Sequence, residues 1–148
     1  MNEDFVPFEL AKKLKEKGFR EKCLAYYDAE DNVGLLYNTQ YSDELLPCQY
    51  TDLLASYNSG DIAANLDTSD NCIDAPTISQ VLKWLREEKK MNVNMRLLVE
   101  NGWYFSIQDY MGVQRYSMLQ DAKDTDDLYY SYVGAAIAGI AYVLDNLI

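Results

Sequence analysis

Residues 92–110 read NVNMRLLVENGWYFSIQDY, two strand-like runs, Asn92–Glu100 and Trp103–Tyr110, on either side of Asn101–Gly102. Asn-Gly between runs rich in aromatic and branched residues is a strong local signal for a β-hairpin. Its register can be argued from what each choice places on one face. A two-residue turn at Asn101–Gly102 sets Trp103, Phe105 and Ile107 opposite Glu100, Leu98 and Arg96, mixing charge into an aromatic face. A three-residue loop, Glu100–Asn101–Gly102 with Gly102 left-handed, pairs Trp103 with Val99, Phe105 with Leu97 and Ile107 with Met95. One face is then wholly apolar, so this is the expected register.

Helices flank the hairpin. Before it, Pro76–Thr77 opens a helix with Ile78, Val81, Leu82 and Leu85 at helical spacing and Arg86–Lys90 as a solvated end. Thr77 and Gln80 fit a capping box, and Pro76 stands where a missing N–H costs nothing. After it, Ser131 is the expected N-cap of a helix from Tyr132 to Asn146. Val133, Ala136, Ile137, Ile140, Ala141, Leu144 and Leu147 make its apolar face, widened by Ala135 and Ala138 and broad enough for burial across a sheet. Asp121 to Asp127 reads as a polar, acidic connector.

The first half repeats the plan in weaker signals. Pro7 to Lys17 is an amphipathic helix with Phe8, Leu10, Ala11 and Leu14 on one face and Gly18 as its stop. Cys23–Tyr27 and Val33–Asn38 make a second hairpin. A short helix at Tyr50–Ser56 and an acidic loop at Asp61–Asp74 follow. The resulting order is α-β-β-(short α)-α-β-β-α. It predicts a single α+β domain over residues 1–148: about three main helices on one face of an antiparallel sheet of about four strands, with an acidic, partly irregular connector at 39–74.

Charge is distributed unevenly along this plan. The sixty residues from Cys23 to Leu82 contain no lysine or arginine and ten carboxylates, in a chain of net charge −11. The isoelectric point near 4.3 opposes phosphate binding across the surface as a whole and favours a basic partner or simple solubility. The acidic opening Met1–Asn2–Glu3–Asp4 is unlike a secretory leader. The longest apolar run, Tyr132 to Leu144, is shorter than the roughly 18–20 residues of a bilayer span. A cytoplasmic protein is expected.

Signals for catalysis are few. The chain has no histidine, the commonest general base, and no GxSxG, Walker A or GxGxxG motif. Two segments, Asp28–Gly34 and Asp67–Asn71, imitate the alternating oxygens of a calcium loop. Neither has Gly at loop position six or Glu at position twelve; Val33 and Thr39, then Cys72 and Ile78, stand there. Cys23, Cys48 and Cys72 form no CxxC and read as free thiols, Cys23 facing the core. Trp103–Tyr104–Phe105, with Lys83, Arg86, Lys89, Lys90 and Arg96 nearby in sequence, resembles a base-stacking strand. The hairpin needs Trp103 and Phe105 for its buried face, so core packing is the better reading. The expectation is a non-enzymatic protein with no cofactor and no metal.

Tyrosines set among the carboxylates suggest an interface, because rigid amphipathic rings ringed by charge are typical contact material. The candidate partner-binding residues are Tyr26, Tyr37, Tyr41, Glu44, Tyr50, Asp52, Tyr57, Asp61, Asp67 and Asp70. Their expected partner is a basic protein. The alternative is mimicry of a nucleic-acid backbone, inhibiting a DNA-binding enzyme; a carboxylate- or metal-dependent enzyme is a third, weaker reading.

Four segments carry a resemblance: Phe5–Phe19 (FVPFELAKKLKEKGF), Ala75–Glu88 (APTISQVLKWLREE), Trp103–Ile107 (WYFSI) and Gly139–Ile148 (GIAYVLDNLI). In these the chain resembles a group of small uncharacterised proteins of gut-bacterial genomes, often encoded in prophage or other mobile DNA. Residues 39–74 and 111–130 fall outside the likeness, and Ser131–Gly134 departs from the group's acidic helix start. The resemblance implies a bacterial, non-secreted accessory protein and carries over no catalytic residues.

Overall fold

The structure, a computed structural model, describes residues 4–28, 35–37 and 72–148. The fold is α+β, with three helices and antiparallel strands. The chain divides into two compact units, Met1–Thr77 and Ile78–Ile148, each described by itself.

In the first unit, α1 spans Phe8–Glu16, with Pro7 in extended conformation before it. Leu10, Ala11 and Leu14 are buried, and Lys13 and Lys15 lie in the last turn, where positive charge complements the helix dipole. Gly18 takes φ +91°. Its N–H donates to the Lys15 carbonyl (3.2 Å) and the Phe19 N–H to that of Leu14 (3.0 Å). That two-bond glycine stop satisfies carbonyls the helix end would leave open, and it needs a residue free to adopt positive φ. Strand β1 (Ala25–Asp28) pairs antiparallel with β2 (Leu35–Tyr37), as the hairpin reading expects.

The other edge of β1 carries β3 (Cys72–Ala75), so the sheet order is β2-β1-β3. The expected connector at 39–74 is thus corrected at its end: 72–74 are strand, not loop. Beyond β3, Val6 N–H donates to the Pro76 carbonyl (3.0 Å) and Phe5 bridges Thr77. The short helix expected at Tyr50–Ser56 and the acidic loop up to Asn71 lie outside the described residues.

In the second unit, α2 (Ile78–Glu88) buries Ile78, Val81, Leu82 and Leu85 as their spacing predicts, together with Trp84. Strands β4 (Met91–Val99), β5 (Gly102–Asp109) and β6 (Gln114–Ser117) form a meander of order β4-β5-β6. Among the described residues, six strands in two sheets therefore stand where a sheet of about four was expected, because each hairpin acquires a third strand. The Asn-Gly hairpin register is also corrected. Trp103 pairs with Leu97, Phe105 with Met95 and Ile107 with Val93, while Val99 meets Gly102 and Leu98 is the extra residue of a bulge. Asn101, not Gly102, is left-handed, at φ 57°. Gly102 is required for another reason: a Cβ there would stand 2.5 Å from Val99 Cγ2 and 2.8 Å from Leu128 Cδ1. The shift is two residues, so parity is kept and the face stays apolar.

The last helix, α3 (Tyr132–Asn146), starts where Ser131 predicts. The Ser131 hydroxyl accepts from the Gly134 N–H at 3.0 Å. Helix α3 packs across β4 and β5. Its buried face is Ala135, Ala136, Gly139, Ile140, Val143 and Leu144: Ala135, Ala136, Ile140 and Leu144 are as expected, and Gly139 and Val143 correct the rest. Val133, Ile137, Ala141 and Leu147 are only half-buried. The hinge of that rotation is Gly139, against which Val93 and Phe105 pack so closely that a Cβ would stand 2.5 Å from Val93 Cγ1. Among the described residues, no helix is long and apolar enough to cross a membrane.

Candidate interaction surface

The acidic region has a defined root. In the β1–β3 ladder Ala25 stands opposite Ala75, Tyr26 opposite Asp74, Tyr27 opposite Ile73 and Asp28 opposite Cys72. The chain therefore leaves β1 at Asp28, rejoins the sheet as β2 at Leu35–Tyr37, and enters β3 at Cys72, on the rung of Asp28. Residues 29–71 between them carry eight carboxylates and no lysine or arginine. Three rungs away, at the other end of the ladder, the residues are buried. Ala25 and Ala75 are fully buried, and Ile73 is 7% exposed. Small residues on that rung let neighbouring elements approach closely.

The root's titratable groups are structural. Tyr27 donates its hydroxyl to the Val6 carbonyl at 2.8 Å and meets Phe8 edge-on, ring centroids 5.5 Å apart. Burial raises its phenol above the usual range. Cys23 is fully buried and donates its thiol to the Glu21 carbonyl at 3.4 Å. Burial first, and then the negative charges of Asp74 and Glu21, push that thiol far up, so it stays protonated at neutral pH. A thiol held neutral is no nucleophile, which matches its core-facing reading.

The second unit presents a different surface. At the end of its Asn-Gly hairpin Leu97, Leu98 and Val99 are 56%, 53% and 42% exposed. Beside them lies an open groove of about 250 Å³, lined by Leu98, Leu119, Ala122, Lys123, Asp124, Thr125 and Leu128. One wall is fixed by local capping: the Asp124 carboxylate accepts from the Asp126 N–H (2.8 Å), and Asp127 accepts from the N–H groups of Lys123 and Asp124. Leu128 is held by the neighbouring rung, where Trp103 and Tyr129 exchange two backbone hydrogen bonds of 2.7 and 2.9 Å.

Aromatic rings are used for packing in this unit. Phe105 is 5% exposed and lies near Tyr116 and Tyr142, which stack at 3.9 Å. Trp103 meets Tyr132 edge-on. Phe105 is therefore in the core, while Trp103, half-buried, packs on Tyr132, and Tyr104 is half-buried. Lys89 lies over the Trp84 ring at 5.3 Å. The Tyr116 hydroxyl donates to Asp121 at 2.6 Å, and that hydrogen bond, with burial second, pushes its phenol up to about 12.

Of the ten residues expected to bind a partner, Tyr26 and Tyr37 fall in described strands. Tyr26 is half-buried opposite Leu36, and Tyr37 stands opposite Ala25, the next rung. Tyr41, Glu44, Tyr50, Asp52, Tyr57, Asp61, Asp67 and Asp70 lie outside the described residues. So do Cys48, most of the Asp28–Gly34 loop and all of Asp67–Asn71. Among the described residues no group of three or more His, Cys, Asp and Glu is placed to hold a metal ion. The exposed tip Leu97–Val99 was not anticipated, since the three-residue loop pairs Leu97 and Val99 inside the hairpin. Its signal is three consecutive apolar residues abutting a turn, more than a two-faced strand can bury. No protein family, no curated protein and no solved structure matches the chain.

Proposed function

We propose that this is a non-enzymatic interaction protein, an accessory of phage or mobile-element type, that engages a basic protein partner through region 23–74. One observation carries the reading: Asp28 and Cys72 are paired, so the cation-free span is rooted at both ends on one rung of a packed sheet. The eight carboxylates of residues 29–71 thus belong to a span whose two ends are joined to the same small sheet. Attraction between such a span and a basic partner is screened by salt over about 8 Å at physiological ionic strength. Tyr26 at the root adds a half-buried ring beside that charge.

The test is a binding assay with the full chain, run at low and high salt against a variant with Asp43, Glu44, Asp52, Asp61, Asp67 and Asp70 changed to their amides. Cationic proteins should bind the parent at low salt and release at high salt, and the neutralised variant should lose them. Binding that ignores both salt and neutralisation overturns the proposal. If duplex DNA displaces the bound protein, the acidic surface is acting as a nucleic-acid mimic; if not, a protein-specific contact is at work.

A further inference from the structure

We infer that the tip of β4 is a self-association site, at which a second copy of this chain docks antiparallel about a two-fold axis through Leu98. Strand β4 is an edge of its three-stranded sheet, and its last turn-proximal residues are exposed. An exposed apolar edge is a template for association that proteins ordinarily blunt or use. Here the sequence is self-complementary. In the order Arg96–Leu97–Leu98–Val99–Glu100, antiparallel docking centred on Leu98 sets Leu97 against Val99 of the second copy and Arg96 against its Glu100. A two-fold axis forms each of these contacts twice.

Three further observations favour a second copy over an unrelated partner. Arg96 and Glu100 are both exposed, and neither makes an ion pair or side-chain hydrogen bond among the described residues. Each is thus available to the other across the axis. Next, Leu98 itself lines the groove with Leu119 and Leu128, so the Leu98 side chain of a second copy meets an apolar recess beside the axis. Last, β4 lies in residues 83–100, where the local charge is +2 in a chain of −11. The strand that forms the contact therefore lies outside the chain's acidic excess. The bulge at Leu98 interrupts a regular outer ladder. Side chains at the tip, rather than a continuous six-stranded sheet, therefore carry the contact.

The experiment is sedimentation equilibrium of the full chain from micromolar to millimolar concentration, with circular dichroism as the check on folding. The parent should show a concentration-dependent dimer. Leu98→Lys should give monomer throughout. Arg96→Glu and Glu100→Arg should each weaken the dimer by about tenfold, and the double exchange should recover most of that loss. A parent that stays monomeric, a dimer that Leu98→Lys leaves intact, or a double exchange no better than the singles would overturn the inference. Added salt separates this contact from the proposed acidic one: it screens the repulsion between copies and should maintain or strengthen the dimer, while releasing a cationic partner.

Discussion

The two three-stranded sheets are built from the same local device, an antiparallel hairpin, yet they recruit their third strands in opposite ways. In residues 78–148 the third strand follows at once. Asp109 accepts from the N–H groups of Met111 and Val113, Gly112 takes φ +79°, and the chain turns straight into β6. In residues 1–77 the third strand arrives from across the long acidic span and settles on the far edge of β1. The difference shows where each unit can tolerate bulk. The meander spends its freedom on close fits, at Gly102 and Gly139, where even a methyl group collides. The first sheet spends it on a long connection, which costs little in loop entropy as length grows but slows closure.

The strongest way to break the comparison is to hollow the meander. Ile107 is fully buried in the middle of β5, and Ile107→Ala should cost about 3–5 kcal/mol, read by urea unfolding. Opening the root of the other sheet should cost less. Ile73 is opposite Tyr27 on a short strand, and Ile73→Ala should cost about 2–3 kcal/mol. That variant should also weaken basic-partner binding, which Ile107→Ala should not do while the protein stays folded.

A gentler probe is Gly139→Ala. Overpacking against Val93 and Phe105 should outweigh the gain in helix propensity, for a net loss of about 1–2 kcal/mol. An equal or greater stability would mean that helix α3 lifts off the sheet without penalty. The smallest effect concerns pH. Tyr116 has its phenol raised from 10.0 to about 12 in the folded protein. Its hydrogen bond to Asp121 therefore contributes fully below pH 10 and is lost as pH rises from there through about 12. Tyr116→Phe should remove that part of the alkaline decline, measured as the difference in unfolding midpoint between parent and variant.

Elements with strong local signals were legible in the sequence. The caps at Gly18 and Ser131, helix α2 after Pro76–Thr77 and both hairpins stand where their residues predict. The losses have distinct causes. Strand β6, Gln114–Ser117, is polar and mostly exposed, so no apolar alternation marks it. Strand β3 is four residues joined to an acidic run, and only its distant partner makes it a strand. The register of β4 and β5 moved because a bulge at Leu98 adds a residue that apolar matching alone does not reveal. Helix α3 is apolar nearly all round, so its buried face was settled by close packing at Gly139, rather than by periodicity. The site divides in the same manner: its charge is compositional and visible at once, whereas its root at Asp28 and Cys72 depends on a pairing across the chain.

That pairing has an architectural consequence. Antiparallel neighbours need only a tight turn to join them. Asp28 and Cys72 already stand as far apart as the two ends of such a turn, so the β1–β3 ladder makes no demand on the connection after β2, which itself pairs with the other edge of β1. The acidic span is in this sense a cartridge plugged into a hairpin. Exchange of residues 38–71 for a span of another charge would leave the residues of β1, β2 and β3 in place and would test whether binding travels with that span.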